Sequence, residues 1–215
     1  MAAENIAVTE HLVLRPMASH DAPALAAYRS DPVQARYQSW ETPYPVDSAQ
    51  TPIAEMREVR FAQPGSRLQV AIESAGRPIG DVAARVDEHD PRQAEVGYTL
   101  AADAQGRGFA TETLRAVISL LFTEHDIHRI TADCDTRNDR SVALLERVGM
   151  RREAHHRKSA WWKGEWTDEY VYAVLAEEWR DEKRGGHEAG TRKSGAPGVS
   201  RSGGAWKEAP VKARM

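Results

Sequence analysis

The segment that most restricts what this chain can fold into is Gln105-Gly106-Arg107-Gly108-Phe109-Ala110-Thr111, which joins a strand-like run to a long amphipathic helix. Gly106 and Gly108 have no Cβ, so the backbone there can turn sharply and approach a ligand closely. A helix that starts at this point aims unpaired N–H groups and the positive end of its dipole at whatever sits in front of it. Arg107 adds a mobile positive charge. A phosphate-holding turn between a strand and a helix is therefore expected, and with it a fold that mixes both elements.

Phosphate turns come in several kinds. A Walker loop requires Lys and then Ser or Thr after its last glycine, where this chain has Phe109 and Ala110. A dinucleotide fingerprint requires a third glycine at the position of Thr111 and an early βαβ unit, and neither is present. The pattern that fits is (Gln or Arg)-x-x-Gly-x-(Gly or Ala), met by Gln105, Gly108 and Ala110. A glycine-rich helix start with no ligand would use the same letters, so the rest of the chain must decide.

That pattern resembles the pyrophosphate motif of the GNAT superfamily of N-acetyltransferases, and three further segments resemble the same family in the same order. Asn138, Ser141, Leu144, Gly149 and Met150 match its second signature, Asn-x-x-Ser-x-x-Leu-x-x-x-x-Gly-(Phe or Met). Gly164, Trp166, Asp168, Glu169, Tyr172, Leu175, Glu178 and Trp179 look like the closing hairpin of its RimJ/RimL branch, the ribosomal-protein N-terminal acetyltransferases. Thr9 to Pro16 is similar to that branch's first strand. The resemblance thus runs from Thr9 to Trp179.

The resemblance implies a mixed α/β fold: a mostly antiparallel central sheet flanked by helices, whose strands 4 and 5 splay apart to admit a thioester. Reading along the chain, strands are expected at Thr9–Pro16, Arg67–Glu73, Pro78–Val86, Gln93–Leu100, Arg129–Asp133, Met150–Ser159 and Asp168–Leu175. Helices are expected at Ala22–Arg29, from Asp31-Pro32 toward Gln38, from Asp47 or Ser48 to Phe61, at Gly108–His125 and at Ser141–Val148.

Acetyl-CoA is the cosubstrate that the resemblance implies. Gln105, Gly106, Arg107, Gly108, Phe109, Ala110, Thr111 and Asn138 would bind it, with the Asn138 amide matching the pantetheine amides. Glu95 occupies the position where the family often keeps a Glu on the fourth strand, and is the expected general base; a strand carboxylate that only bonds a neighbour is the alternative. A main-chain N–H near Val96 to Tyr98 would meet the developing oxyanion. Many relatives place a Tyr directly after the Leu of the second signature, and this chain has Leu145 there. The usual acid is therefore missing. Ser141 is the expected donor toward the sulfur, with helix capping or packing as its other reading. The departure also leaves room for a CoA-binding module without catalysis.

The acceptor is a primary amine. Resemblance points to a protein N-terminus, while the same branch contains enzymes acting on small amines and antibiotics, and nothing before Phe61 separates these. An α-amine with a pKa near 8 is partly neutral at physiological pH, whereas a lysine amine near 10.4 asks more of a base.

The remaining expectations come from composition. With 215 residues and 41% apolar content the chain can bury one core. No apolar run approaches the roughly 20 residues that span a bilayer, and Met1 to Thr9 does not read as a secretory signal. Cys134 is the only cysteine, which excludes an internal disulfide and fits a cytoplasmic location. His125 with His128, and His155 with His156, are poorly disposed as metal ligands, and no metal is expected. Residues 185–215 hold six Lys or Arg against two Glu, so a chain of net charge −3 has an acidic body of −7. Seven glycines and few large apolar residues mark that segment as a disordered basic tail following a domain at 1–184. Nucleic-acid binding through the tail is the less favoured reading, and either a monomer or a homodimer is compatible with the sequence.

Overall fold

In a computed structural model, which describes residues 5–185, one eight-stranded sheet organises the chain. The strands are β1 (Ala7–Val8), β2 (Val13–Pro16), β3 (Arg67–Ser74), β4 (Arg77–Val86), β5 (Gln93–Leu100), β6 (Arg129–Asp135), β7 (Arg151–Trp162) and β8 (Glu165–Leu175). The helices are α1 (Ala22–Arg29), α2 (Pro32–Ala35), α3 (Val46–Glu55), α4 (Phe109–Glu124), α5 (Asp139–Arg147) and α6 (Ala176–Gly185). Strand order is β1-β2-β3-β4-β5-β6-β8-β7, and every neighbouring pair is antiparallel except β5 with β6.

Pleating divides the sheet into two unlike faces. Leu14, Val70, Ile72, Val82, Ala84, Ala94, Val96, Ile130, Ala132, Tyr172 and Val174 point to one side and are buried there. Against them lies α4, whose Phe109, Thr113, Leu114, Val117, Ile118, Leu121 and Phe122 recur at the spacing of one helical face. Leu144 and Leu145 of α5 complete this core. The opposite face carries Ala71 and the polar Asp81, and α1 and α3 cover it through Leu25, Ala26, Tyr28, Ala49 and Ile53.

Buried charge fastens the helices to that second face. Asp81 is fully buried and accepts from Tyr28 Oη at 2.5 Å and from Gln69 Nε2 at 2.6 Å, with the Arg29 guanidinium 3.7 Å away. Arg29 in turn lies 4.4 Å from the centre of the Trp40 ring, whose Nε1 donates to the Arg29 carbonyl. At the sheet edge Arg15 donates twice to Asp21 and once to Glu73. Polar groups hidden in this way need their partners to remain hidden.

The strand expectations at Arg67, Pro78, Gln93 and Arg129 start within one residue of the observed ones, and α1 and α4 lie where periodicity places them. Several bounds differ. Of the strand expected at Thr9–Pro16 only Val13–Pro16 forms, as β2; Thr9 to Leu12 make a turn in which Thr9 N–H donates to the Leu12 carbonyl, and β1 precedes it. Helix α3 ends at Glu55 rather than Phe61: the chain leaves the helix at Met56, whose N–H still reaches the Pro52 carbonyl. β7 and β8 each extend about three residues further toward their turn than expected, and α6 had no counterpart in the sequence reading. The expected tail, residues 185–215, lies outside the described residues apart from Gly185, which closes α6.

Gly80 shows how closely β4 and β5 approach. A Cβ there would stand 2.2 Å from the Thr99 carbonyl oxygen and 2.7 Å from Leu100 Cδ2. Gly80→Ala is expected to lower stability by about 2–3 kcal/mol through forced displacement of β5, read as an earlier midpoint in urea unfolding; a midpoint equal to that of the unaltered chain would contradict this packing.

Candidate active site

β5 and β6 run parallel only for the pairs Gln93–Arg129, Ala94–Ile130 and Glu95–Thr131. Past Glu95 the strands part. β5 continues to pair with β4 as far as Leu100, and β6 with β8 as far as Asp135, so each stays in the sheet while the space between them opens. The resulting cleft is lined by Glu95, Val96, Gly97 and Tyr98 from β5, by Ala132 to Asp135 from β6, by Asn138 and Ser141, and by Tyr37, Trp162 and Glu169. Main-chain groups on the facing edges have no strand partner there, which is where a ligand with amides and a carbonyl can be held.

Strand register sorts the lining into two sets. Glu95 is paired with Thr131, and Asp135 with Glu169, so Glu95, Asp133, Asp135 and Glu169 share the face that carries Asp81. Tyr98, Cys134 and the helix α5 with Ser141 belong to the other face, where the main core lies. The cleft therefore joins the two sides of the sheet.

Glu95 carries a strongly perturbed carboxyl. Burial, reinforced by the negative charge of Asp133, pushes its carboxyl up to about 7 against the opposing pull of Arg85 and Arg67. A carboxylate of that pKa is half ionised near neutrality and is a stronger base than an exposed one. Cys134 is driven the other way for reactivity: burial and the charges of Asp133 and Asp135 push its thiol up to about 12, so it stays protonated and is no nucleophile at neutral pH. The Tyr98 phenol is buried too, which raises its pKa. Ser141 is placed to donate to its oxygen, and the phenol proton itself meets no acceptor among the described residues.

The turn before α4 has the geometry the sequence suggests. Gly106 and Gly108 take φ of +74° and +84°, and open space surrounds the position where each would carry a Cβ. Gly108 caps α4, and its carbonyl accepts from Glu112 N–H. Among the described residues the N–H groups of Gly106 to Thr111 meet no acceptor, as expected of a first helical turn. This arrangement fits a pyrophosphate.

Individual side chains of the turn behave differently from one another. Phe109 is buried in the core and can offer a ligand only its N–H. Arg107 lies 4.6 Å above the Phe109 ring. Gln105 does structural work: its Nε2 donates to Gln34 Oε1 at 2.7 Å and to the Leu100 carbonyl, while its Oε1 accepts from Arg140 at 2.7 Å. It thereby ties the turn to α2 and α5. Glu112 anchors the turn from the other side, accepting from Thr9 Oγ1 at 2.6 Å and from His11 N–H at 2.9 Å. Asn138 caps α5 by accepting from Ser141 N–H at 3.2 Å, which leaves its amide NH₂ for a ligand.

Glu95, Asn138 and Ser141 are thus brought together in the cleft, and Gln105 to Thr111 form a separate turn between the end of β5 and α4. The side chains of Tyr37, Tyr98, Asp133, Asp135 and Glu169, to which the sequence assigned no part in the site, also line the cleft. Trp162 lines it as well, whereas Trp161 and Trp166 meet edge to face with ring centres 5.4 Å apart and Trp40 packs on Arg29. His155 pairs with Asp168 at 2.8 Å and His125 packs edge-on to Phe61. No three His, Cys, Asp or Glu side chains among the described residues gather as metal ligands, and no helix among them is long and apolar enough to cross a membrane.

Residues 11–151 match the family model described as Acetyltransferase (GNAT) domain. The chain belongs to the GNAT acetyltransferase family. An uncharacterized N-acetyltransferase, p20, of Bacillus licheniformis is 28% identical over 171 residues, 80% of this chain and 96% of that protein. The ribosomal protein uS5-alanine N-acetyltransferase of Escherichia coli (strain K12) is 32% identical over 84 residues, 39% of this chain and 43% of that one. Among solved structures, Mycobacterium smegmatis RimJ in complex with CoA-disulfide superposes with a TM-score of 0.68 at 28% identity, over 81% of this chain and 89% of that one. This GNAT protein is an acetyl-CoA-dependent N-acetyltransferase with relatives of the RimJ/RimL type.

If the turn holds the cofactor through its amides, a side chain at its left-handed position should disturb that hold. Gly108→Ala forces a Cβ into a φ of +84°, at about 1–2 kcal/mol. The expected outcome is a KM for acetyl-CoA raised about tenfold with kcat little changed, in steady-state assays of thiol release; an unchanged KM would speak against the turn as the pyrophosphate site.

Proposed function

We propose that this GNAT protein acetylates the α-amine of a protein N-terminus, of the kind found on ribosomal proteins, by direct attack of the amine on acetyl-CoA with both bound. The observation that carries this reading is Glu95, a half-buried carboxyl held at about 7 where the strands part. Its pKa is close to that of an α-amine, near 8, and far from that of a lysine side chain. A base matched in this way takes the amine proton most effectively near neutral pH. The names of the Escherichia coli relative and of the RimJ structure support the same acceptor.

Bound acetyl-CoA would supply the acyl group as a thioester. Gly106 to Thr111 would hold its pyrophosphate through main-chain N–H groups, with Arg107 adding charge, and the Asn138 NH₂ would hold a pantetheine carbonyl. Main-chain N–H groups of the free β5 edge near Val96 to Tyr98 would steady the oxygen on which charge develops. Glu95, on the face opposite α4 and α5, would receive the amine and its proton.

A second reading, a small cationic amine as acceptor, is favoured by the cleft's lining of Glu95, Asp133, Asp135 and Glu169 with no Lys or Arg. Asp135 is partly neutralised by Arg137, which binds it at 2.8 Å, so the negative field is weaker than four carboxylates suggest. Peptides with a free α-amine, the same peptides Nα-blocked but carrying lysine, and a series of polyamines distinguish the readings. The protein-acceptor reading expects kcat/KM for the free α-amine at least about 100-fold above the blocked peptide; efficient turnover of polyamines alone would contradict it.

The role of Glu95 makes a prediction of definite sign. The proton acceptor is the carboxylate, so kcat/KM should fall tenfold per unit as pH drops below about 7. Glu95→Gln should remove that limb and lower kcat about 100-fold. Stability should move the other way. Folding raises the pKa of Glu95 from 4.5 to about 7, so its favourable contribution is complete below 4.5 and is lost as pH rises through 7. At pH near 8 the Gln variant should be more stable by about 1–3 kcal/mol in thermal or urea unfolding; lower stability there would show that the carboxylate is a structural partner.

A further inference from the structure

We propose that the Tyr98 hydroxyl, with Ser141 beside it, is the hydrogen-bond donor that receives the sulfur as it leaves the acetyl group. This inference rests on the family's chemistry and is independent of which amine is acetylated. The position where many relatives carry a tyrosine is occupied by Leu145, which is 1% exposed within the core and offers no donor. Tyr98 reaches the same cleft from β5 instead.

Three observations converge on it. The Tyr98 hydroxyl is buried and its proton meets no acceptor among the described residues, in a cleft that Ser141, Asn138 and Cys134 also line. Ser141 is placed to donate to the phenol oxygen, which lowers the phenol's pKa against the effect of burial and leaves the phenol's own proton to be donated elsewhere, while the Ser141 N–H is already satisfied by the Asn138 cap. Finally, register puts Tyr98 on the sheet face opposite to Glu95, three residues away on the same strand. A base on one face and a donor on the other can serve the attacking amine and the departing sulfur separately, at an acyl carbon held between the parted strands where addition precedes elimination.

The step balances without a further reactant. The amine nitrogen forms a bond to the acyl carbon, the carbon–sulfur bond breaks and its electron pair stays on sulfur. The amine proton goes to Glu95. Tyr98 keeps its proton and donates it in a hydrogen bond to the thiolate, which is protonated by solvent on release. Burial keeps the phenol un-ionised throughout the working pH range, so it serves as a donor rather than as a proton source for a thiol of pKa near 8.5. Cys134, on the same face, is a weak donor by comparison.

Calorimetry with CoA and with desulfo-CoA isolates the sulfur contact from the rest of the cofactor. The unaltered protein should bind CoA about tenfold more tightly at pH 9, where the free thiol is mostly ionised, and Tyr98→Phe should erase that difference while leaving the desulfo-CoA affinity unchanged. In turnover, Tyr98→Phe should lower kcat roughly 10–100-fold with KM for acetyl-CoA unaltered, and Ser141→Ala should lower it less. Ultraviolet absorbance of the thiolate in the unaltered complex should titrate below 8.5, a measurement that needs no variant. A Tyr98→Phe variant that keeps the preference for CoA, one that weakens both ligands equally, or a bound thiol titrating at or above 8.5 would each overturn the assignment.

Discussion

The site exists because parallel pairing between β5 and β6 stops after three residue pairs. Each strand has another partner that holds it, β4 on one side and β8 on the other, so the two can separate without either leaving the sheet. Hydrogen-bonding groups that a continuous sheet would consume are left on the facing edges. The cost of leaving them unpaired falls on the core beneath, where α4 and α5 bury Leu114, Ile118, Leu121, Leu144 and Leu145 against the sheet. Such gaps recur at functional positions in sheets that change direction, because an unpaired edge is a ready binding surface.

The parting also gives the two sides of the cleft different chemistry. Glu95, Asp133 and Glu169 face the side covered by α1 and α3, where Asp81 and Arg29 are already buried, and poor solvation together with mutual repulsion holds Glu95 near 7. Tyr98 and Ser141 face the apolar core and carry no charge. One strand thereby presents a carboxyl and a hydroxyl to opposite faces of the same slot. The glycine turn before α4 stands outside this division: it is fixed by Gln105 to α2 and α5 and by Glu112 to the chain before β2.

Local signals in the sequence located most of this. The glycines at 106 and 108, the Asn138 cap and the apolar spacing of α4 depend on neighbours close in the chain, and each lies where its pattern suggests. Glu95 and Ser141 came from the family's motifs and do line one cleft. The Tyr98 side chain was assigned no part in the site because in an alternating strand it reads as a core aromatic, and only the divergence of β6 frees its hydroxyl. Asp133 and Glu169 were assigned none for a related reason: their approach to Glu95 depends on the β5–β6 and β6–β8 registers, which join residues far apart in sequence. The role of Gln105 as a tie was hidden in the same way, since Gln34 and Arg140 reach it from distant helices. Helix α6 follows β8 without a glycine or proline to mark its start, which is why no boundary was visible there.

The central claim is that the main-chain amides from Gly106 to Thr111 grip the cofactor's pyrophosphate and so place its thioester in the gap between β5 and β6. Hydrogen–deuterium exchange of the protein with and without CoA tests it most directly, because exchange reports those amides themselves. The account predicts strong slowing across Gly106–Thr111 and along the free β5 edge at Val96–Tyr98 when CoA is added, with far smaller changes in β2, β3 and α3. CoA binding that leaves the exchange of Gly106–Thr111 unchanged would contradict it.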